Sequence, residues 1–213
     1  MTVSEYFVME DELKAVDGSP LAPESVQMIE YLHKRAAELN AGAIRARISA
    51  AAADLEGVVR AVRADDARLR PIAGKWTIAE VVDHMAQTNV RAAEELRHLI
   101  AGRRPPLPPV YEALRSGAGQ WAPWNVLVEE LCDANRAMID AIDGGVDAAG
   151  GGPFPTVRTV VVALRDMGGG NKAPQIFFAE LAWKEYALLQ RLHLLDHRRQ
   201  IKELCAAAGH VSH

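Results

Sequence analysis

Apolar residues return every three to four positions over long stretches of this chain, and Gly- and Pro-rich segments separate the stretches. That is the pattern of amphipathic helices joined by loops. The first periodic stretch predicts a helix from Ser25 to Leu39. The second runs from Ala43 to Val62, with Ile44, Ile48, Leu55 and Val58 on its apolar face, and Arg-Pro-Ile-Ala-Gly at 70–74 breaks it. The third start is the clearest. Thr77 and Glu80 have capping-box spacing, in which the hydroxyl accepts from the amide three residues on and the carboxylate reaches back. The helix it opens is expected to reach Ala101, with Ile78, Val81, Val82, Met85, Ala92, Leu96, Leu99 and Ile100 in one stripe. Gly102 and the Pro run to 109 close it. A fourth helix is predicted from Trp124 to Ile142, stopped by Gly144 and Gly145, with the loop continuing through 150–153.

The pattern then changes. Residues 156–164 are rich in β-branched side chains, Gly168-Gly-Gly-Asn171 is a turn signal, and 175–181 supplies a return strand, so a β-hairpin is expected. The rival reading is a loop followed by an earlier start of the last helix. That last helix is predicted from Trp183 to Ala208, free of Pro and Gly, with Gly209 beyond it. Residues 1–22, polar and carrying Gly-Ser-Pro at 18–20, read as an extended arm.

Composition narrows the function classes. The 213 residues fit one domain with terminal additions, and 49% hydrophobic content suffices for a core. A net charge of −4 leaves no basic surplus for phosphate contacts, so nucleic acid is not an expected partner. Cys132 and Cys205 form no disulfide framework, there is no secretory leader pattern, and no apolar run has membrane-spanning length. The expectation is a cytoplasmic protein that does not engage membranes.

The last helix carries the chemistry. On a wheel of about 100° per residue, Lys184, Glu185, Arg191, Arg198, Arg199, Lys202 and Glu203 share one side. Trp183, Tyr186, Leu189, Gln190, His193, Leu194, His197, Ile201 and Leu204 share the other, apolar by content. Two imidazoles inside that stripe need partners, because a buried polar group without one costs about 1–3 kcal/mol. Hydrogen bonds to a neighbouring helix are one solution. The i, i+4 spacing of His193 and His197 offers another, since helical zinc sites use that arrangement. A catalytic site needs a third ligand and an open position. His84, at the border of the stripe on the capped helix, is the candidate. His33, His98, His210 and His213 are weaker ones.

The segment Gly74-Lys-Trp-Thr-Ile-Ala-Glu80-Val-Val-Asp-His84 resembles the first-ligand segment of the DinB-like (YfiT-like) superfamily of metalloproteins. Glu185 through Ile201, with His193, His197 and the trailing Gln200, resembles its C-terminal segment. The two pieces are specific jointly. The resemblance covers roughly residues 41–101 and 180–208, and leaves 1–40 and 102–179 unaligned. It implies an all-α-dominated fold, an up-and-down four-helix bundle with the hairpin inserted before the last helix. The division would be 1–40 as arm and extra helix, 41–208 as bundle and 209–213 as tail. It also implies zinc or nickel held by His84, His193 and His197, activity as an S-transferase or isomerase with a low-molecular-weight thiol, and a homodimer.

Three neutral imidazoles do not choose among zinc, nickel, copper and iron. Zinc is expected because it tolerates such a site and needs no redox partner. An open position permits a hydrolytic water or a substrate thiol held as thiolate, and the resemblance favours the thiolate, delivered to an electrophilic small molecule. Tyr186 and Gln190, on the histidine stripe, are the candidate catalytic helpers. Tyr186 alternatively packs as a core aromatic with its hydroxyl on a carbonyl. Asp196 or Glu80 is expected to orient a ligand imidazole, unless each is a solvated carboxylate. Two alternatives remain beside the enzyme: a non-catalytic metal- or ligand-binding stress protein, and a fold with three metal-free core histidines. Leu188, Leu192 and Leu195 on the charged side of the last helix are either covered by the hairpin or arm, or form an intersubunit seam.

Overall fold

The chain is described by a computed structural model over residues 14–109, 113–145 and 155–209. It contains five α-helices and one two-stranded hairpin: α1 (Pro23–Glu38), α2 (Ala41–Arg60), α3 (Ile78–Ile100), α4 (Trp124–Ala141), β1 (Val157–Asp166), β2 (Lys172–Leu181) and α5 (Trp183–Ala207). Single 3₁₀ turns occupy Asp66–Arg68 and Ala118–Gln120. Each predicted helix is present, with ends within two residues of those expected. Of the expected arm, the first thirteen residues lie outside the described residues, as do the 150–153 loop, His210 and His213.

Local chemistry explains the helix starts. Pro23 opens α1, where its missing N–H costs nothing. The Asn40 side chain caps α2 by accepting from the Ala43 N–H at 2.8 Å. The capping box of α3 is complete: Thr77 Oγ1 accepts from the Glu80 N–H at 3.2 Å, and the Glu80 carboxylate accepts from the Thr77 N–H at 2.7 Å. At α5 the Glu185 carboxylate accepts from the Ala182 N–H at 2.7 Å.

The hairpin is real, and the alternative early start of α5 is not. Val161 faces Phe177 and Val157 faces Leu181 in an antiparallel register. Gly168, Gly169 and Gly170 all take positive φ, which makes the turn glycine's task. β2 begins three residues earlier than expected, because Pro174 is tolerated in a two-stranded sheet where it need not donate on both edges. Phe177, Val161, Ala163 and Leu181 face inward, and Val162, Leu164 and Ile176 face out.

Helices α2, α3, α4 and α5 close a ring, with α2 touching α4 and α5, and α3 touching the same two. The core inside it is formed by Ile44, Ile48, Leu55, Val81, Met85, Leu96, Leu127, Leu131, Met138, Leu194 and Ile201. Helix α1 packs on α5 and β1. The two-sided wheel expected for α5 therefore gives way to a helix contacted by α1, α2, α3 and β2. Of the leucine stripe, Leu188 is buried, and Leu192 and Leu195 are partly buried against the same core. Among the described residues no helix is long and apolar enough to cross a membrane.

Candidate metal centre

His84 sits on the second turn of α3, a position fixed by the capping box at its N-terminus. His193 and His197 occupy successive turns of α5 on the face turned to α3. The three rings meet edge to face, with centroids 4.4–5.2 Å apart. Their inner nitrogens converge: His193 Nε2 lies 3.2 Å from His84 Nε2 and 2.9 Å from His197 Nε2. Among the described residues this is the one group of three or more His, Cys, Asp or Glu side chains able to hold a metal ion.

The outer nitrogens decide the protonation of the inner ones. His84 Nδ1 lies 2.9 Å from the Leu114 carbonyl, and His197 Nδ1 lies 2.7 Å from Gln200 Oε1. Both oxygens only accept, so both rings carry their proton on Nδ1 and turn a bare Nε2 lone pair inward. His193 Nε2 can bring at most one proton to its two neighbours. In the absence of a cation, the cluster sets lone pair against lone pair. A tetrahedral ion with about 2.05 Å bonds to nitrogen needs its ligands about 3.3 Å apart, so small outward shifts would seat one. The donor set fits a divalent metal ion.

Burial keeps the rings ready for that role. It pushes all three imidazoles below their ordinary pKa: His193 far below, His197 to about 4, and His84 by burial together with the nearby Arg115 charge, against the opposing pull of the Leu114 carbonyl and Asp83. Near neutral pH the rings are uncharged, so protons do not compete with a metal.

The loop after the Pro run completes this end of the site. The Asp83 carboxylate, fully buried, accepts from Ser116 N–H (3.2 Å), Ser116 Oγ (2.7 Å) and Gly117 N–H (3.0 Å). Gly119 packs against the first turn of α3, where an added Cβ would sit 2.8 Å from the Ala79 carbonyl oxygen and 2.9 Å from Glu80 Cα. The Trp76 ring stands edge-on to His84 at 5.1 Å, and the Arg115 guanidinium lies over Trp76 at 4.9 Å. Beside Gln200 opens a cleft of about 230 Å³ lined by Ile72, Lys75, Asp196 and Arg199 among others.

Of the other candidates, Gln190 stays beside the cluster and the rest are engaged in other contacts or lie away from it. Neither carboxylate expected to orient an imidazole does so. Glu80 is held by the cap and by Arg70 at 3.0 Å, and Asp196 is exposed and pairs with Arg199 at 2.6 Å. The Leu114 carbonyl and Gln200 do that work. Tyr186 is buried about 10 Å along α5 from His193, and its hydroxyl donates to the buried Glu95 carboxylate, which also pairs with Arg91 at 2.8 Å. Gln190, one turn from His193, is buried, and among the described residues neither its Oε1 nor His193 Nδ1 has a hydrogen-bond partner. His33 pairs with Glu185 at 2.6 Å on the surface. His98 lies about 20 Å along α3 from His84.

A family model described as the DinB superfamily matches residues 47–201, a stretch that includes all three converging histidines. No curated protein and no solved structure matches the chain.

Proposed function

The chain belongs to the DinB superfamily, and from that membership together with the converging imidazoles we propose that it is a divalent-metal-dependent enzyme acting on small molecules. We read the α2–α5 ring as the superfamily's four-helix bundle, with His84, His193 and His197 as the metal ligands and zinc as the native ion. The observation that carries this reading is the inward convergence of Nε2 atoms at 2.9 and 3.2 Å, with two of the three outer nitrogens already committed to oxygen acceptors.

A zinc ion there would supply Lewis acidity at an open position and hold a low-molecular-weight thiol in its ionised form. The chain's own groups do the rest. Leu114 and Gln200 hold the rings in the ligating tautomer. The second turn of α3 and the middle of α5 fix the ligands on rigid elements. The reaction would conjugate the whole thiol to an electrophilic carbon: the sulfur's lone pair forms a C–S bond, the electrophile's leaving group departs with the electron pair of the bond it loses, and the thiol's proton is released to solvent. A catalytic centre is favoured over a closed storage or structural site because, among the described residues, no fourth His, Cys, Asp or Glu joins the cluster.

The test is a metal count on protein purified without a chelator or metal-affinity tag, beside His197→Ala. About one ion per chain, lost in the variant, supports the site. No metal in the wild type, even after incubation with zinc, refutes it. Zinc-dependent coupling of a low-molecular-weight thiol to an electrophile then separates an enzyme from a protein that only binds metal.

A further inference from the structure

The metal site has a cationic wall that its ligand set does not need. Arg115 is bracketed onto the His84 turn from both sides: the residue before it offers its carbonyl to His84, and the two after it donate to Asp83. The close approach of Gly119 to the α3 backbone fixes the same loop from farther along. Few degrees of freedom remain for the backbone of residue 115, so the position of its side chain beside the site is a built feature.

The guanidinium is stacked but not saturated. One face rests on Trp76, which leaves the edge, where the five N–H donors lie, free of the ring. Its side chain is 40% exposed, and among the described residues its carboxylate contact is Glu80 at 4.0 Å. Glu80 is already engaged at shorter range, by Arg70 at 3.0 and 3.2 Å and by the Thr77 N–H at 2.7 Å. Arg115 therefore keeps its forked donor edge for another acceptor.

Electrostatics say what that acceptor is. Three neutral imidazoles bring no negative charge, so a divalent ion among them leaves the site strongly positive. A second cation beside it opposes metal binding when the ion stands alone. The opposition is relieved when an anion enters between them, and a planar oxyanion matches the guanidinium fork.

We infer that Arg115, stacked on Trp76 beside His84, is the specificity-determining residue of this site and binds a carboxylate carried by the thiol substrate. The inference rests on the reading of the three histidines as a metal centre that takes a thiol. It deepens that reading by giving the thiol a second, negatively charged group within one side chain's reach of the sulfur.

The experiment uses full-length protein loaded with cobalt(II), whose thiolate absorption reports sulfur binding directly. Wild type, Arg115→Gln and Arg115→Lys are each titrated with mercaptopropionate, which carries a carboxylate, and with mercaptoethanol, which does not. The ratio of the two affinities within each protein is the readout, because a general disturbance of the site moves both thiols together. The wild-type preference for mercaptopropionate should shrink roughly tenfold in Arg115→Gln and recover in part in Arg115→Lys, where the charge remains but the fork is gone. An equal ratio in wild type and Arg115→Gln overturns the proposal, and so does a cobalt-loaded wild type that binds neither thiol. A wild type that takes up no cobalt overturns the metal-centre reading itself, a failure visible before any thiol is added.

Discussion

Gln200 is the most direct lever on the site that is not itself a ligand. Its Oε1 accepts from His197 Nδ1 at 2.7 Å, which fixes both the tautomer and the tilt of that ring. Replacing it with leucine keeps the approximate volume and removes the acceptor. A donor left without a partner costs about 1–3 kcal/mol when sealed from water. Gln200 is only half-buried and borders the cleft, so water can take over part of the bond. The expected loss is near the lower end, about 1.5 kcal/mol, or roughly tenfold in metal affinity, within the range typical of groups that orient a metal ligand. Gln200→Glu, which restores an acceptor and adds charge, should return the affinity to at least the wild-type level. The assay is a competition titration of zinc against a chromophoric chelator near neutral pH, with the melting temperature of each metal-free variant as a check on folding. A folded Gln200→Leu protein that binds zinc within about twofold of wild type would refute the argument that this hydrogen bond tunes the ligand.

Three further outcomes follow from particular contacts. The metal-free protein should lose stability in mild acid. His197 is held down to about 4 against an ordinary 6.5, so the unfolded chain takes up the proton first. The stability is full above about 6.5 and lost as pH falls towards about 4, on the order of 3 kcal/mol from this ring alone, with His193 and His84 shifted the same way. A metal-free melting temperature that stays flat across that window contradicts this. Tyr186→Phe should destabilise the fold by about 1–3 kcal/mol in urea unfolding, because it strips a donor from the buried Glu95 carboxylate; full stability with a collapsed turnover would instead make the hydroxyl a direct participant in the reaction. Gly119→Ala should cost about 1–3 kcal/mol of stability and slacken the loop that carries Leu114 and Arg115, since its Cβ would meet α3 backbone atoms at 2.8–3.0 Å. Unfolding by denaturant and zinc affinity, measured together, check both effects.

The helices and the hairpin were legible because each had a local signature. The Thr77 and Glu80 spacing, the Gly-rich turn at 168–170 and the apolar periodicities all act within a few residues of themselves. The convergence of His84 with His193 and His197 was legible for a related reason, since an i, i+4 pair on an apolar face needs a partner on the facing helix. What escaped was set by contacts between distant segments. Nothing local distinguishes the Leu114 carbonyl from any other backbone oxygen, yet it orients His84. Asp83 and Glu95 are residue types that ordinarily face water on a helix, and here both are buried because a loop and a tyrosine bring donors to them. The wheel misassigned Leu188 because it assumed one covered side, and α5 is approached from several. Likewise the stretch 102–179, which no motif could align, lies inside the family match and supplies the wall of the site.

Gln175 of β2 accepts from Ala22 N–H and Ser25 Oγ, each at 2.8 Å, and donates to the Pro20 carbonyl at 3.0 Å. Lys184 reaches the carbonyl of Leu39 at 2.9 Å. Helix α1 is thus fastened to segments about 150 residues downstream and finds its packing partners in β1 and α5. During synthesis it leaves the ribosome long before anything exists to cover Leu32 and Ile29. Closing so long a loop is entropically costly and belongs late in folding. The nascent chain therefore carries the uncovered apolar face of α1 through most of its translation, and docking of α1 is the step at which chaperone protection would matter most and after which proteolysis within α1 should fall sharply.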